Sequence, residues 1–214
     1  MHYEKHIIRN FPKNYPYWKK ILANLVFFVF GTIIHQRKNL LNKCDIRRAK
    51  KLLKPGDIIL VGGLRRLTSL IIRGPVTHSL IYLGNNRVIH AIADGVETDH
   101  LYEVFCEYDT MTILRSIDNH LSPKTYHKKI QATLDYAKAQ LGKPYDFEFS
   151  SGKKGFYCTE LLYCSFKKGN IETGLEIKNK KLPIHPMEFI NNNFHIIFLS
   201  HNLKLINGQV KNMI

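Results

Sequence analysis

Short apolar runs separated by Gly, Asn, Asp or Pro recur along the chain from residue 57 onward. Runs of roughly four to eight residues with such boundaries are typical of β-strands, since helices need a longer periodic pattern. The loop 84–86, Gly-Asn-Asn, separates two of these runs and predicts a β-hairpin. The pattern predicts strands at 57–61, 78–83, 87–93, 111–115 and 195–199.

Other stretches repeat apolar residues at helical spacing. Ser122 and Pro123 are typical of a helix start, and Gly142 of its end. Gly169 closes a second apolar stretch, which begins at Cys158. The predicted helices cover 45–53, 64–71, 122–142 and 158–168. Together the elements predict an α+β fold in which a small, mostly antiparallel sheet packs against helices.

The first part of the chain has a different character. Residues 1–20 are basic and aromatic, and 21–34 form an almost unbroken apolar run. A helix of that length spans about 21 Å, short of the roughly 30 Å hydrocarbon core of a bilayer. The run favours a helix lying on a membrane or on the domain, with an uncleaved anchor or a cleaved signal peptide as alternatives. We predict a membrane-proximal segment at 1–44 and a folded domain at 45–214.

The chain of 214 residues carries 32 Lys and Arg against 17 Asp and Glu, a formal net charge of +15. This excess favours an acidic partner, and beside the apolar run it favours an anionic membrane surface. A solvated basic surface without a dedicated partner is the alternative. Zinc-finger spacing and RNA-binding aromatic motifs are missing from the sequence, which disfavours nucleic acid. We expect a location at a membrane or in the cell envelope, and the cytoplasm stays open.

The four cysteines form no C-x-x-C pair, so we expect free thiols rather than a zinc ribbon or a thioredoxin motif. Cys158 differs from the others because it follows the Gly-containing loop 150–157 and opens an apolar helix. A helix N-terminus carries partial positive charge and unpaired N–H groups, which stabilise a thiolate and an oxyanion. We predict Cys158 as a nucleophile with a lowered pKa. Cys164 lies about 240° further around the helix and belongs to the core.

Two histidines on the predicted hairpin are candidates for its base. If the loop has three residues, Leu80 pairs with His90, and His78 lies on the same face about 7–8 Å away. A loop of two or four residues would separate them. We predict His78 as general base and His90 as the group that fixes its tautomer. Ordinary surface or core histidines are the alternative. A zinc site with Cys158 is disfavoured because local ligand pairs are missing, and we expect neither a metal nor a cofactor.

These residues belong to five short segments whose order resembles the YiiX-like permuted papain-like amidases, within the NlpC-type superfamily. The segments are PGDIIL at 55–60, THSLIYLG at 77–84, VIHA at 88–91, LGKPYDF at 141–147 and YCTEL at 157–161. The resemblance runs from about residue 45 to residue 199. It implies a permuted papain-like fold in which the histidine precedes the cysteine along the chain.

The resemblance also implies the roles of Cys158 as nucleophile, His78 as base and His90 as third polar group. Many YiiX-like members have Glu at the third position, whereas a second His is found in the related lecithin retinol acyltransferase group. We expect Tyr145 and Tyr157 to flank the substrate cleft, with core packing as the alternative for each.

Three functions follow from this assignment. The first is a cysteine amidase or peptidase that cleaves an amide bond of a peptide or acylated amine through a Cys158 acyl-enzyme. The second is an acyltransferase, lipase or thioesterase that acts on lipid acyl groups at a membrane, which His90 and the apolar run favour. The third is a non-catalytic membrane-binding domain.

Overall fold

The computed structural model describes residues 7–31, 41–63, 74–117, 121–149, 154–176 and 183–213. The helices in these ranges are α1 (Tyr17–Gly31), α2 (Lys43–Leu52), α3 (Leu101–Glu107), α4 (Pro123–Lys138) and α5 (Cys158–Lys168), with a 3-10 turn at Pro186–Phe189. The strands are β1 (Ile58–Gly62), β2 (His78–Gly84), β3 (Arg87–Ile92), β4 (Gly95–His100), β5 (Thr110–Ser116), β6 (Phe194–Leu199), β7 (Leu203–Ile206) and β8 (Gln209–Asn212). The predicted strands are confirmed with small shifts, and the predicted helix at 64–71 lies outside the described residues.

Six strands form one sheet in the order β4-β3-β2-β1-β5-β6, and neighbouring strands are antiparallel. All residues of the central strand β1 are buried, as its unbroken apolar run predicts. One face packs against α4 and α5, through residues such as Leu134 and Phe166. The other face packs against α2 and α3, through Ala49 and Phe105. The predicted α+β architecture is confirmed.

The hairpin between β2 and β3 differs from its prediction in one detail. Asn85 and Asn86 have φ of 50° and 57° and form a two-residue turn, not the predicted three-residue loop. A bulge between Tyr82 and Gly84 adds the missing residue, so that Ile81 pairs with Ile89. The register therefore equals the one that a three-residue loop predicts.

Two parts of the fold were not predicted. β4 and α3 follow the turn after β3, where Asp94-Gly95 is a turn signal and Gly95 has φ of 108°. The hairpin of β7 and β8 closes through Asn207 and Gly208, both at positive φ. In each case a short polar strand hides the period-2 pattern that marks a half-buried strand.

The segment before residue 41 packs against the sheet domain. The backbone N–H of Arg9 donates to Asp94, the Asn10 amide donates to the Gly142 carbonyl, and Lys19 pairs with Glu148 at 2.8 Å. α1 starts earlier than the apolar run alone predicts, directly after Pro16. Among the described residues, no helix combines the length and apolar character that crossing a bilayer requires. The domain boundary at residue 45 stays a prediction.

Candidate active site

Cys158 is the first residue of α5, as predicted, and hydrogen-bond donors surround its sulfur. Tyr157 occupies the N-cap and offers no capping side-chain bond, so the first N–H groups of the helix are not taken by it. The backbone N–H groups of Cys158, of Thr159 and of Ser79 on β2 lie near the sulfur and act to lower the pKa of the thiol. The Cys158 sulfur thus lies where α5 meets the sheet.

The predicted lowering of the Cys158 pKa is wrong. Burial raises the pKa of the thiol, and the donors of Ser79, Thr159 and Cys158 itself offset this only in part. The sequence shows the helix N-terminus, whereas the depth of burial depends on how α5 seats against β2 and β3. A neutral thiol at neutral pH needs a base that removes its proton during attack.

Ser79 can donate to the sulfur because the pairing of β2 with β3 ends early. N–H groups alternate between the two edges of a strand, and the Tyr82 N–H donates to Asp57 on the β1 side. The Ser79 N–H therefore points toward β3. The recorded pairs between β2 and β3 stop at Ile81–Ile89, and beyond that point the Ser79 N–H meets Cys158 instead of a strand.

His78 and His90 lie together, as the register predicts. Nε2 of His78 is 2.9 Å from Nδ1 of His90, and Nε2 of His90 is 3.2 Å from Oδ2 of Asp99. A carboxylate only accepts, so His90 donates from Nε2 and accepts at Nδ1 in its neutral form. His78 must then donate from Nε2, which leaves its Nδ1 free of a proton. This is the tautomer that a general base requires.

Asp99 was missed in the sequence because β4 was not predicted. β4 pairs with β3 so that Glu97 lies opposite His90 and Asp99 opposite Val88. Asp99 is therefore a diagonal neighbour of His90 on the same face. The Asp94-Gly95 turn signal, followed by alternating side chains, could have revealed it.

The histidine pair and the cysteine approach β2 from opposite faces. His78 and His90 share a face with Leu80 and Val88, which pack toward α3, and the His78 ring stacks on Tyr108 with centroids 6.0 Å apart. Ile81 packs on the other face, toward α5. Both groups nevertheless lie at the start of β2, where His78 is the first residue of the strand and Cys158 is near Ser79.

The two predicted substrate-binding tyrosines have different surroundings. Tyr145 is partly buried and pairs with Phe156 in an isolated bridge, and its pKa is raised well above the ordinary value by burial and by the charge of Cys158. Tyr157 is buried among core residues, and the backbone of Ile184 bonds its hydroxyl. Burial raises the pKa of Tyr157 to about 12. Tyr145 is thus near Cys158, whereas Tyr157 has the surroundings of a packing residue.

Glu160 is a buried carboxyl in the first turn of α5. Burial and the nearby Asp146 raise the pKa of Glu160 to about 7, against the N–H of Tyr157, which lowers it. The Tyr157 N–H is an orphan donor at the helix start, and the Glu160 carboxyl accepts from it. The other carboxyl oxygen, Oε2, has no hydrogen-bond partner.

A cleft with a volume of about 540 Å³ begins beside Tyr145. Pro12, Tyr15 and Pro16 form one wall, and Tyr145, Phe147 and Lys154 contribute to the other. Clefts of this size accept drug-sized ligands. Gly155, three residues before Cys158 in the sequence, also lines the cleft.

Among the described residues, one cluster has metal-ligand chemistry. His90, Glu97 and Asp99 each offer a ligand atom, and these atoms lie within 4.8 Å of one another. The cluster overlaps the hydrogen-bond chain of His78, His90 and Asp99. All four cysteines are free, which confirms that expectation.

A papain-like fold with a cysteine at a helix start and histidines earlier in the chain defines a class of protein. Residues 52–187 match the family described as permuted papain-like amidase enzyme, YaeF/YiiX, C92 family, and the chain belongs to that family. It is therefore a thiol-dependent hydrolase, as the resemblance implied.

Among solved structures, the chain is similar to the metalloprotein YiiX from Escherichia coli O157:H7. The two share 18% sequence identity with a TM-score of 0.53, over 69% of this chain and 97% of that chain. At this identity the likeness shows the fold. No curated protein matches the chain.

Proposed function

We propose that the protein cleaves an amide bond through a thioester on Cys158, with His78 as general base. The observation that carries the proposal is the chain of hydrogen bonds from Asp99 through His90 to His78, which leaves Nδ1 of His78 to take a proton. Ser79 supports the assignment of the base, because it follows His78 on β2 and its backbone N–H acts to lower the pKa of the Cys158 thiol.

In the first half of the reaction the sulfur attacks the substrate carbonyl while its proton moves to Nδ1 of His78. The carbonyl oxygen becomes an oxyanion, and the N–H groups at the start of α5 stabilise it. His78 then returns the proton to the leaving amine as the C–N bond breaks. A water molecule, deprotonated by His78, attacks the thioester, and the acid leaves as the thiol regains its proton.

His90 positions His78 and does not itself move the transferred proton. Two neutral rings share a weaker hydrogen bond than a ring and a carboxylate. Asp99 supplies the negative charge one step further away, at 3.2 Å from His90. The pair of His90 and Asp99 thus supports His78 in place of a single carboxylate.

Acyl transfer or lipid-ester hydrolysis is a second candidate for the same nucleophile. The observation that favours it is the mainly apolar cleft that starts beside Tyr145, since an acyl chain fits such walls. In this case the thioester forms in the same way, and an alcohol or amine replaces water in the second half.

YiiX from Escherichia coli is described as a metalloprotein. In the present chain, the imidazole of His90 and the carboxylates of Glu97 and Asp99 are the residue types that a divalent cation such as zinc prefers. When bound there, the cation would supply a fixed positive charge. Nε2 of His90 cannot bind a cation and donate to Asp99 at once, so such binding would replace the hydrogen-bond chain proposed above, and no step of the reaction uses a metal.

The experiment is to incubate the protein with activated amide and ester probes and to measure acylation of Cys158 by mass spectrometry. We expect an adduct on Cys158 in the wild type, none in Cys158→Ala, and an unchanged pattern in Cys164→Ala, the matched control on the same helix. An adduct on Cys44, Cys106 or Cys164 that carries the turnover would contradict the proposal.

A further inference from the structure

α1 exposes a continuous apolar face. Large apolar side chains on one side of this helix are exposed to solvent, with exposed fractions from 43% to 78%. They are Tyr17, Trp18, Ile21, Leu22, Leu25, Val26 and Phe28. We call these residues the α1 stripe. Single exposed apolar residues are ordinary, whereas a contiguous stripe of this kind marks an interaction site.

The opposite side of α1 contacts the chain that precedes it and, through Lys19, the domain, so the stripe faces away from these contacts. Asn24 accepts a hydrogen bond from the Ile8 N–H at 2.6 Å, and Lys19 pairs with Glu148 at 2.8 Å. Lys20 lies over the Phe11 ring at 5.8 Å.

The charged residues within the segment that carries the stripe are all basic, although Lys19 is paired with Glu148 of the domain. Residues 7–31 contain Arg9, Lys13, Lys19 and Lys20 and no Asp or Glu. Basic residues near an anionic bilayer each contribute about 1 kcal/mol. Tyr17 and Trp18 stand at the start of the helix, and such amphipathic rings prefer the headgroup region of a membrane. The surface therefore fits an anionic phospholipid bilayer.

The stripe continues directly into the wall of the cleft. Tyr15 and Pro16 line the cleft, and α1 begins at the next residue, Tyr17. The other wall includes Tyr145, whose pKa responds to the charge of Cys158. A bilayer in contact with the stripe would thus lie beside a cleft whose far wall comes near Cys158 at Tyr145.

We propose that the α1 stripe lies on an anionic bilayer and that the cleft receives the acyl chain of a membrane-borne amide, whose carbonyl reaches Cys158. The substrate class rests on the proposed function, whereas the membrane contact does not. The apolar chain occupies the walls formed by Pro12, Tyr15 and Phe147, and the polar part of the substrate stays near Lys154 at the edge of the cleft.

The experiment uses the full chain and vesicles of phosphatidylglycerol or of phosphatidylcholine alone. We compare the wild type with the double variant Leu22→Gln/Leu25→Gln, and with Leu205→Gln/Ile206→Gln as control, because the latter residues are also exposed and apolar but lie on β7. Sedimentation gives vesicle binding. Turnover is measured on a long-chain acyl amide in vesicles and on a short, water-soluble amide.

We expect the α1 variant to bind phosphatidylglycerol vesicles about tenfold or more weakly than the wild type, while the control binds normally. Turnover of the vesicle-borne amide should fall with binding, and turnover of the soluble amide should not change. Cys158→Ala should bind vesicles like the wild type but lack turnover. Turnover by Cys158→Ala would contradict the proposed function without affecting the evidence for membrane contact, which vesicle binding tests separately.

Three results would overturn the inference. Equal vesicle binding by the wild type and the α1 variant would remove the stripe from the membrane. Self-association of the wild type in solution that the α1 variant abolishes, without vesicle binding, would assign the stripe to a second copy of the chain. Lost vesicle binding with unchanged turnover of both amides would separate the cleft from the bilayer.

Discussion

At the scale of single residues, the proposed function depends on which nitrogen of each imidazole carries a proton. His78 and His90 share one bond of 2.9 Å, and Asp99 decides its direction because a carboxylate accepts but does not donate. The proposed base is thus set by a residue that does not touch the nucleophile. Glu160 is a second residue whose protonation state matters, because burial raises the pKa of its carboxyl to about 7.

Replacing Asp99 by Asn tests the direction of the hydrogen bonds. An amide can donate to Nε2 of His90, which would place the His90 proton on Nδ1 and turn it toward His78. We expect kcat to fall about tenfold to a hundredfold with KM nearly unchanged, and His78→Ala to cost more, about a hundredfold to ten-thousandfold. Glu172→Gln, an exposed carboxylate, is the control. Equal losses for His78→Ala and His90→Ala would show that base and positioning group are wrongly assigned.

Replacing Glu160 by Gln should stabilise the fold only at higher pH. The pKa of Glu160 rises from 4.5 to about 7 on folding, so the folded state binds the extra proton between these values and loses stability as pH increases through them. We expect Glu160→Gln to match the wild type at pH 4.5 and to be more stable by about 3 kcal/mol at pH 8. Urea unfolding at several pH values measures this. A pH-independent difference would refute the buried, titrating carboxyl.

At the scale of elements, one ion pair ties the entry of β1 to β5. Asp57 is buried, receives the Lys54 N–H at 2.7 Å, and binds Arg115 through both carboxyl oxygens at 2.7 Å. The hydrogen bond to Asp57 raises the pKa of Arg115. This two-point ion pair ties β1 to β5. On its other side β1 pairs with β2, which carries His78 and Ser79.

Replacing Asp57 by Ala should destabilise the protein because it leaves the Lys54 N–H and the guanidinium without their acceptor. We expect a loss of about 3 kcal/mol in the free energy of unfolding, at the lower end for a buried pair because Arg115 is partly exposed. Urea denaturation measures it. Asp135→Asn on the exposed side of α4 should change stability by less than about 0.5 kcal/mol. Equal effects of the two substitutions would contradict the structural role.

The elements with strong local signals were predictable, and those defined by packing were not. α5 begins at Cys158 and ends before Gly169 as predicted, because the apolar period and the closing glycine are both local. β4 has partly exposed, polar residues after Val96 and lacks that signal, so Asp99 was missed with it. The pKa of Cys158 was mispredicted for a related reason, since burial is a property of the assembled sheet and helices and not of the helix start.

At the scale of the whole molecule, the segment before residue 41 adds a wall and a surface to a domain whose core it hardly enters. Ile8 is its one buried hydrophobic residue among those described. The core clusters on both faces of the sheet consist of residues from 41 onward. The segment therefore shapes access to the site more than it supports the fold.

Removing residues 1–40 should accordingly leave a folded domain with a changed cleft. We expect a stability loss of about 1–3 kcal/mol, because the burial of Ile8 is lost and the surface that it covers becomes exposed, and a lower melting temperature by a few degrees. KM for a soluble amide should rise, because Pro12, Tyr15 and Pro16 are gone, while kcat stays within about threefold. Calorimetry and steady-state kinetics measure both. Aggregation or loss of cooperative unfolding would show that the segment is part of the core instead.

The bulge in the first hairpin also determines which changes of chain length the site can tolerate. Five residues lie between Tyr82 and Val88, which pair with each other. Gly84 and Arg87 form the next pair around the two-residue turn, and Leu83 is the extra residue that is left unpaired. A chain that lacks Leu83 would close with the same turn and no bulge, and it would keep Tyr82 opposite Val88. His78 and His90 would then still share a face. Single-residue insertions and deletions at this hairpin are therefore absorbed between the turn and Tyr82, and the distance along the chain between the two histidines can vary without separating them.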